Sequence, residues 1–94
     1  MSEDELLAEV IRLARMYGWR HYHTWSSKHS VAGFPDLVLV RKTSIIYAEL
    51  KREGQHPTSA QMEWLGALAE AGAECYVWRP SDLAAAIPKR LALR

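Results

Sequence analysis

The segment that decides the fold is residues 33–53, which read GFPDLVLVRKTSIIYAELKRE. It contains two apolar runs, 37–40 and 45–51, with a polar turn that lacks glycine between them. Runs of Val, Ile, Leu and Tyr on either side of a short turn are typical of strands that pair with each other. We therefore predict a β-hairpin, with its first strand over 37–40 and its second over 45–51.

Three charged residues stand out in this apolar segment. Asp36 comes just before the first strand, and Glu49 and Lys51 lie in the second. Because strand side chains alternate between the two faces of a sheet, Glu49 and Lys51 point the same way, about 7 Å apart along the backbone. The hairpin brings the start of its first strand beside the end of its second. We therefore expect Asp36, Glu49 and Lys51 to meet at one end of the sheet.

Such a meeting of like charges needs a compensating charge. Two carboxylates about 4 Å apart repel by roughly 4 kcal/mol at an effective dielectric constant of 20. Mg²⁺ or Mn²⁺ reverses the sign of this interaction, because these ions prefer oxygen ligands and commonly bind one or two carboxylates together with water and phosphate oxygens. Lys51 would then orient or deprotonate an attacking water, or stabilise charge on the scissile phosphate. The pattern indicates metal-assisted phosphodiester hydrolysis.

Geometry alone leaves a second interpretation open. Glu49 and Lys51 would form an exposed ion pair on an edge strand, and Asp36 would merely end a turn after Pro35.

Helices are predicted on both sides of the hairpin. Residues 2–17 carry apolar side chains at helical spacing and are followed by Gly18, which suits a left-handed C-terminal cap. Residues 58–71 form a second predicted helix, which Gly72 closes. Both helices are amphipathic, so each is expected to cover the sheet with one face.

The rest of the chain adds strands, loops and one short helix. Residues 19–25 and 74–78 are predicted strands, and 26–33 and 53–57 are predicted loops. A final short helix starts at Ser81 or Asp82 and is ended by Pro88. The element order αβββαβα predicts an α/β (α+β) fold in which helices cover one mixed sheet.

Composition limits the class of protein. The chain has 94 residues, 49% of them hydrophobic, which predicts one domain over 1–94 with its own core. Cys75 is the only cysteine, so an intrachain disulfide and a cysteine-based zinc site are excluded. The acidic N-terminus does not resemble a secretory signal, and no apolar run is long enough to span a bilayer. We expect a soluble cytoplasmic protein with no membrane partner. With a net charge of +1, nucleic acid would have to bind to a local basic surface.

The charged motif resembles that of a known nuclease superfamily. Pro35-Asp36 followed by Glu49-Leu50-Lys51 is similar to the PD-(D/E)XK signature. The segments GWRHYHTW, GFPDLVLV, YAELKRE and AECYVWRPSD, and a Thr-x-x-Gln helix start, resemble the virus-type replication-repair nuclease (VRR-NUC) domain over nearly the whole chain. The resemblance implies the PD-(D/E)XK restriction-endonuclease-like fold, with an αβββαβ core and, in this chain, a short C-terminal helix.

The resemblance also implies roles for individual residues. Asp36 and Glu49 would bind Mg²⁺ or Mn²⁺, the backbone carbonyl of Leu50 would join them, and Lys51 would be the catalytic lysine. Members place a glutamate from the first helix near the metal, and Glu5 is the best match, ahead of Glu9. Three carboxylates without a His–Cys cluster argue against zinc.

Two of the implied roles compete with structural ones. Ser2 and Glu5 have capping-box spacing, so Glu5 either approaches the metal, closes the helix start, or does both. Thr58 and Gln61 have the same spacing, and Gln61 is either a helix cap or a supporting residue of the catalytic site.

Basic and aromatic residues are the candidates for contacts with DNA. The predicted DNA-binding residues are His23, Lys28, Arg41, Lys42 and Arg52, and further basic candidates are Arg20, His21, His29, Lys89, Arg90 and Arg94. Such contacts position a phosphate backbone without reading its sequence, which favours recognition of DNA shape. We expect Trp25, Trp64 and Trp78 in the core or in an interface rather than as platforms for base stacking.

Stand-alone members of the family resemble Holliday-junction resolvases. The resemblance therefore implies an endonuclease that nicks four-way DNA junctions symmetrically as a homodimer, without a small-molecule cofactor. Alternatives are a less selective nuclease acting on flaps, nicks or single strands, a DNA-binding module with an inert site, and a purely structural sheet edge. The compact form suggests a viral or mobile-element origin.

Overall fold

The computed structural model describes residues 1–25 and 31–94. Its elements are α1 (Glu3–Met16), β1 (Arg20–His23), β2 (Leu37–Arg41), β3 (Ser44–Leu50), α2 (Ser59–Glu70), β4 (Glu74–Trp78), a 3₁₀ helix (Pro80–Ala84) and α3 (Ala86–Ala92). The strands form one sheet in the order β1-β2-β3-β4, in which β1, β2 and β3 are antiparallel and β4 runs parallel to β3. This is the mixed sheet with flanking helices that the sequence predicts.

The β2–β3 hairpin has the register on which the site depends. Leu37 pairs with Ala48, so the next residues outward, Asp36 and Glu49, lie side by side at the open end of the hairpin. Lys42, in the turn at the other end, adopts a left-handed backbone with φ of 54°. The predicted hairpin is therefore confirmed, and the open end of its two strands carries the acidic pair.

The main core lies between one face of the sheet and the helices α1 and α3. Its fully or almost fully buried side chains are Leu6, Val10, Ala14, Trp19, Leu37, Leu39, Ile46, Ala48, Leu50, Trp78, Ile87 and Leu91. Alternate residues of β2 and β3 supply this face, as the period of a strand requires. The opposite face is partly covered by α2, whose Trp64 contacts Phe34, and Phe34 in turn contacts Tyr47.

The helix boundaries follow from their caps. The Ser2 hydroxyl accepts a hydrogen bond from the Glu5 N–H at 3.0 Å and thereby starts α1, and Gly18 ends it with φ of 84°. Thr58 caps α2 in the same way, with the Gln61 N–H at 3.2 Å. Both capping boxes are complete.

The prediction for the last helix was wrong. Instead of ending a helix that starts at Ser81 or Asp82, Pro88 lies inside the first turn of α3, which follows a separate 3₁₀ helix. A proline is tolerated there because the first N–H groups of a helix have no partner within it. The local rule that proline terminates helices therefore gave the wrong boundary.

Arg41 fastens the closed end of the hairpin to two helix ends. Its guanidinium donates to the carbonyls of Tyr17 at 2.9 Å and Leu91 at 2.8 Å, and also to that of Leu93. The same group lies over the Trp19 ring, 4.4 Å from its centroid. Arg41 thus satisfies carbonyls at the C-terminal ends of α1 and α3 that these helices leave without partners.

None of the helices in the described ranges 1–25 and 31–94 has the length and apolar character needed to cross a membrane.

Candidate active site

The loop that carries Asp36 is seated against the start of α2. Gly33 has φ of 93°, and a Cβ added to it would lie 2.5 Å from backbone atoms of Ala60. The Phe34 ring makes edge contacts with Trp64 and Tyr47, with centroids 5.2 and 6.0 Å apart. Only glycine fits this backbone conformation and close approach. Gly33 and Phe34 therefore fix the position of the loop that leads into Asp36.

Asp36 is held from both neighbouring strands. On one side, the Thr24 N–H donates to the Asp36 carbonyl at 2.8 Å, and the Thr24 hydroxyl donates to the Pro35 carbonyl at 2.7 Å. On the other side, the Leu50 N–H donates to Asp36 Oδ2 at 3.0 Å. The carboxylate is thus fixed beside the last residue of β3.

Glu49 is the buried charged residue of this site. It is only 1% exposed, and its Oε1 has no hydrogen-bond partner within residues 1–25 and 31–94. Its Oε2 lies 3.9 Å from the Lys51 Nζ, and the Lys51 side chain is itself 12% exposed. The interpretation as an exposed ion pair is therefore excluded, because both charged groups are largely removed from water.

Burial and Asp36 control the protonation of Glu49. Burial raises its pKa most, and the hydrogen bond and negative charge of Asp36 raise it further, while Lys51 opposes them. The result is a pKa of about 8. Without another positive charge, Glu49 is therefore largely protonated at neutral pH.

These residues fit a divalent cation. An unpartnered buried carboxylate oxygen beside a second carboxylate is a costly arrangement that a cation would relieve. Within the described part of the chain, no group of three or more His, Cys, Asp or Glu side chains is arranged to hold a metal. The carboxylates that the hairpin brings side by side are those of Asp36 and Glu49, and such a pair would suit Mg²⁺ or Mn²⁺ with water and phosphate as further ligands.

A small cavity opens beside Asp36. Its volume is about 60 Å³, and it is lined by Glu3, Asp4, Leu7, His23, Asp36 and Leu50. It places the start of α1 and the end of β1 against the open end of the hairpin.

Comparison with known proteins identifies the family of this arrangement. The model of the VRR-NUC domain matches residues 2–82. The chain belongs to the VRR-NUC family. A search of curated proteins finds no significant match.

Solved structures agree with this family. One VRR-NUC domain protein has a TM-score of 0.73 and 23% identity, with 97% of this chain and 88% of that chain covered. A second VRR-NUC domain has a TM-score of 0.74 and 17% identity, with 89% and 92% covered. Hjc of Archaeoglobus fulgidus, described as a Holliday junction resolvase, has a TM-score of 0.54 and 26% identity, with 83% and 65% covered. The fold is that of PD-(D/E)XK nucleases.

In this VRR-NUC chain, Glu3 approaches the site more closely than the expected Glu5. Glu5 Oε1 accepts from the Ser2 N–H at 2.8 Å, and this contact lowers the Glu5 pKa. Glu9 is paired with Arg12 at 3.0 Å. Glu3 lines the cavity, and its charge contributes to the raised pKa of Glu49. Residues three or four apart lie on the same face of a helix, and both Glu3 and Leu7 line the cavity. Knowing that Leu7 packs at this end of the sheet would therefore have placed Glu3 there as well.

Gln61 occupies its capping position. Its Oε1 accepts from the Thr58 N–H at 2.8 Å, which is the structural role that the spacing predicts. A supporting role in catalysis stays a prediction.

The predicted DNA-binding residues are spread over the molecule. His23 lines the acidic cavity, and Arg52 is exposed directly after Lys51. Arg41 and Lys42 lie at the closed end of the hairpin, roughly 17 Å from Asp36 at 3.4 Å per residue. Arg90, a further basic candidate, is paired with Glu74. Lys28 and His29 lie outside the described residues.

The segment after Lys51 has anchors that the sequence did not reveal. The Lys51 N–H donates to the Trp78 carbonyl at 3.0 Å. Arg79 Nη2 donates to the Gln55 carbonyl at 2.7 Å, and the Ser81 N–H donates to the Glu53 carboxylate. These contacts link the loop after β3 to the end of β4 and so restrain the backbone beside Lys51.

Proposed function

We propose that this chain is a Mg²⁺- or Mn²⁺-dependent endodeoxyribonuclease that nicks four-way DNA junctions as a homodimer. The observation that carries the proposal is Glu49, which is buried beside Asp36 and close to Lys51, and whose Oε1 has no hydrogen-bond partner among the described residues. Membership of a nuclease family supports phosphodiester hydrolysis. The likeness to a protein described as a Holliday junction resolvase supports the junction as the substrate.

In the proposed site, Asp36, Glu49 and the Leu50 carbonyl hold the ion. The bound ion would supply Lewis acidity and a more acidic water. Asp36 is prepared for this role because Thr24 and Leu50 fix its backbone and its carboxylate. Lys51 orients or deprotonates the attacking water, or stabilises charge on the phosphate.

A substrate panel tests the proposal. Labelled four-way junction, flap, nicked duplex and linear duplex are each incubated with Mg²⁺, Mn²⁺ or chelator. We expect paired symmetric nicks in the junction that require metal. Equal cutting of all substrates contradicts junction selectivity and supports the less selective nuclease. Binding without metal-dependent cutting supports an inert module.

Metal binding is tested separately by calorimetry with Mn²⁺. Asp36→Asn removes one of the two negative carboxylates, so the affinity should fall at least tenfold. Unchanged affinity contradicts its role as a ligand. Glu3→Gln and Glu5→Gln form a matched pair on α1. The larger loss is expected for Glu3→Gln, because Glu3 lines the cavity whereas Glu5 caps the helix.

Dimerisation is tested by sedimentation of the free protein and of its junction complex. Two sites at a fixed separation would account for paired nicks. A monomer that stays monomeric on the junction contradicts the homodimer while leaving the nuclease site intact.

A further inference from the structure

Trp25 differs from the other tryptophans in its exposure. Its side chain is 87% exposed, whereas Trp19 and Trp78 are each 3% exposed and Trp64 is half-buried. Of the two places expected for Trp25, the core is therefore excluded, and a place in an interface stays a prediction. An indole is the largest apolar side chain that a protein can bury, so leaving one in water forgoes a considerable stabilisation.

The exposed indole stands directly beside the candidate active site. Trp25 follows Thr24, whose N–H and hydroxyl bind the carbonyls of Asp36 and Pro35. Its ring makes an edge contact with His23, with centroids 6.5 Å apart and planes at 73°. His23 lines the cavity that also contains Asp36. Trp25 is thus held one residue from a hydrogen bond to Asp36 and next to the wall of the cavity.

The acidic lining of this cavity favours contact with the uncharged bases of DNA over contact with its phosphates. Glu3, Asp4 and Asp36 all line it, so the field repels phosphate wherever a bound cation does not compensate. A flat aromatic ring attracts nucleobases through stacking, which requires no positive charge and tolerates any base. An aromatic platform at the rim therefore suits a substrate whose backbone enters an acidic pocket.

We propose that Trp25 stacks on an unpaired or unstacked nucleobase adjacent to the phosphate that is cut. This inference rests on the proposed function, and it adds the chemical feature that the site recognises. Bases with a free face occur at branch points, nicks and single strands, whereas fully paired duplex hides them. Trp25 thereby contributes to the preference for branched DNA.

Binding is measured with chelator present, so that cutting does not interfere. The probes are a labelled four-way junction and a linear duplex, and the proteins are the parent chain, Trp25→Ala, Trp25→Phe and Tyr22→Ala. Stacking on aromatic side chains contributes enough that Trp25→Ala should weaken junction binding roughly 5- to 150-fold. Trp25→Phe should lose less. Tyr22, 63% exposed on β1, is the matched control and should change binding less than about twofold.

Tryptophan fluorescence gives a second readout. Junction DNA should quench emission from the parent and shield it from acrylamide. Trp25→Phe should lose this response while it still binds the junction. Thermal unfolding checks that each variant is folded, since an exposed side chain contributes little to the core.

Two outcomes overturn the inference. One is junction binding by folded Trp25→Ala within twofold of the parent. The other is shielding of Trp25 at rising protein concentration without DNA, which would assign the indole to contact with a second copy. If no substrate is cut with metal, the nuclease proposal fails. If metal-dependent cutting persists while Trp25→Ala binds normally, only the stacking proposal fails.

Discussion

The two ends of the β2–β3 hairpin differ in how the hydrogen-bonding groups of an ionisable side chain are satisfied. At the closed end, the Arg41 guanidinium donates to three backbone carbonyls and lies over the Trp19 ring. At the open end, Glu49 is more deeply buried, yet one of its oxygens has no partner. A polar group that makes its hydrogen bonds helps to hold the fold together, whereas a buried carboxyl oxygen without a partner is costly to the fold.

The closed end of the hairpin therefore has the features of a stabilising contact, and the open end has those of a functional site. Both ends bring together distant parts of the chain, and both depend on the same register. Only the open end carries an unfavourable arrangement that the folded chain alone does not relieve. Substitutions at the closed end should therefore affect stability, and those at the open end should affect metal binding and reaction rate.

Lys51→Ala is expected to have the largest effect, and it tests whether the open end of the hairpin takes part in catalysis. Positioned acid–base groups contribute roughly 100- to 10,000-fold in rate, so junction cutting should fall by that factor. Unfolding free energy and junction affinity with chelator should change little. Single-turnover cleavage measures the rate. A variant that cuts as fast as the parent removes Lys51 from the mechanism.

Gly33→Ala tests whether the fold requires the close contact between the loop before Asp36 and the start of α2. The new Cβ would clash with Ala60 at 2.5 Å and would force an unfavourable left-handed backbone. Strain and overpacking together should lower the unfolding free energy by about 3 kcal/mol or more. Gly54→Ala is the matched control, because Gly54 has φ of 76° but no atom near the added Cβ. Equal losses in denaturant unfolding would show that the close contact does not matter.

Arg41→Ala tests the closed end. It removes charged donors from three carbonyls, so the unfolding free energy should fall by about 2 kcal/mol. Lys42→Ala, at the next position, should change it by less than about 0.5 kcal/mol. Chemical denaturation of both variants measures the difference. A fall in DNA affinity without loss of stability would instead support the predicted contact of Arg41 with DNA.

Glu49→Gln tests, through the pH dependence of stability, whether the buried Glu49 carboxyl resists ionisation. In metal-free folded protein the Glu49 pKa is about 8, against an ordinary value of 4.5 that applies on unfolding. Between these values the folded state holds more protons than the unfolded state. The contribution of Glu49 to the free energy of unfolding is therefore complete below about pH 4.5. It decreases as the pH rises from there to about pH 8, by at most about 1.4 kcal/mol per pH unit.

The comparison is made by denaturant unfolding in chelator from pH 5 to pH 8. The parent should lose stability relative to Glu49→Gln as the pH rises. Mn²⁺ should restore the parent at pH 8 and should affect the variant much less. Parallel pH curves for the two proteins would show that Glu49 ionises normally in the folded state.

Local rules predicted the elements that make the site. The alternation of strand side chains and the hairpin pairing were enough to bring Asp36 and Glu49 together, and β4 (Glu74–Trp78) has the predicted bounds. The capping boxes at Ser2 and Thr58 were likewise readable from spacing. These features depend on contacts between neighbours in sequence or across one short turn.

Features that depend on packing between distant elements were not predicted. The approach of Glu3 to the cavity depends on how α1 lies across the sheet, and neither α1 nor the hairpin specifies this alone. The exposure of Trp25 was missed because an aromatic strand pattern does not say which rings the helices cover. Pro88 was misread because its position within a helix depends on where that helix starts.

The register of the hairpin has a consequence for when the acidic pair first forms. Asp36 and Glu49 come from different strands and meet only when Leu37 stands opposite Ala48. A slip of one residue would turn Glu49 to the other side of the sheet and separate the pair. Newly made or misassembled copies would therefore lack the acidic pair, because it exists only in molecules whose strands have paired in the native register.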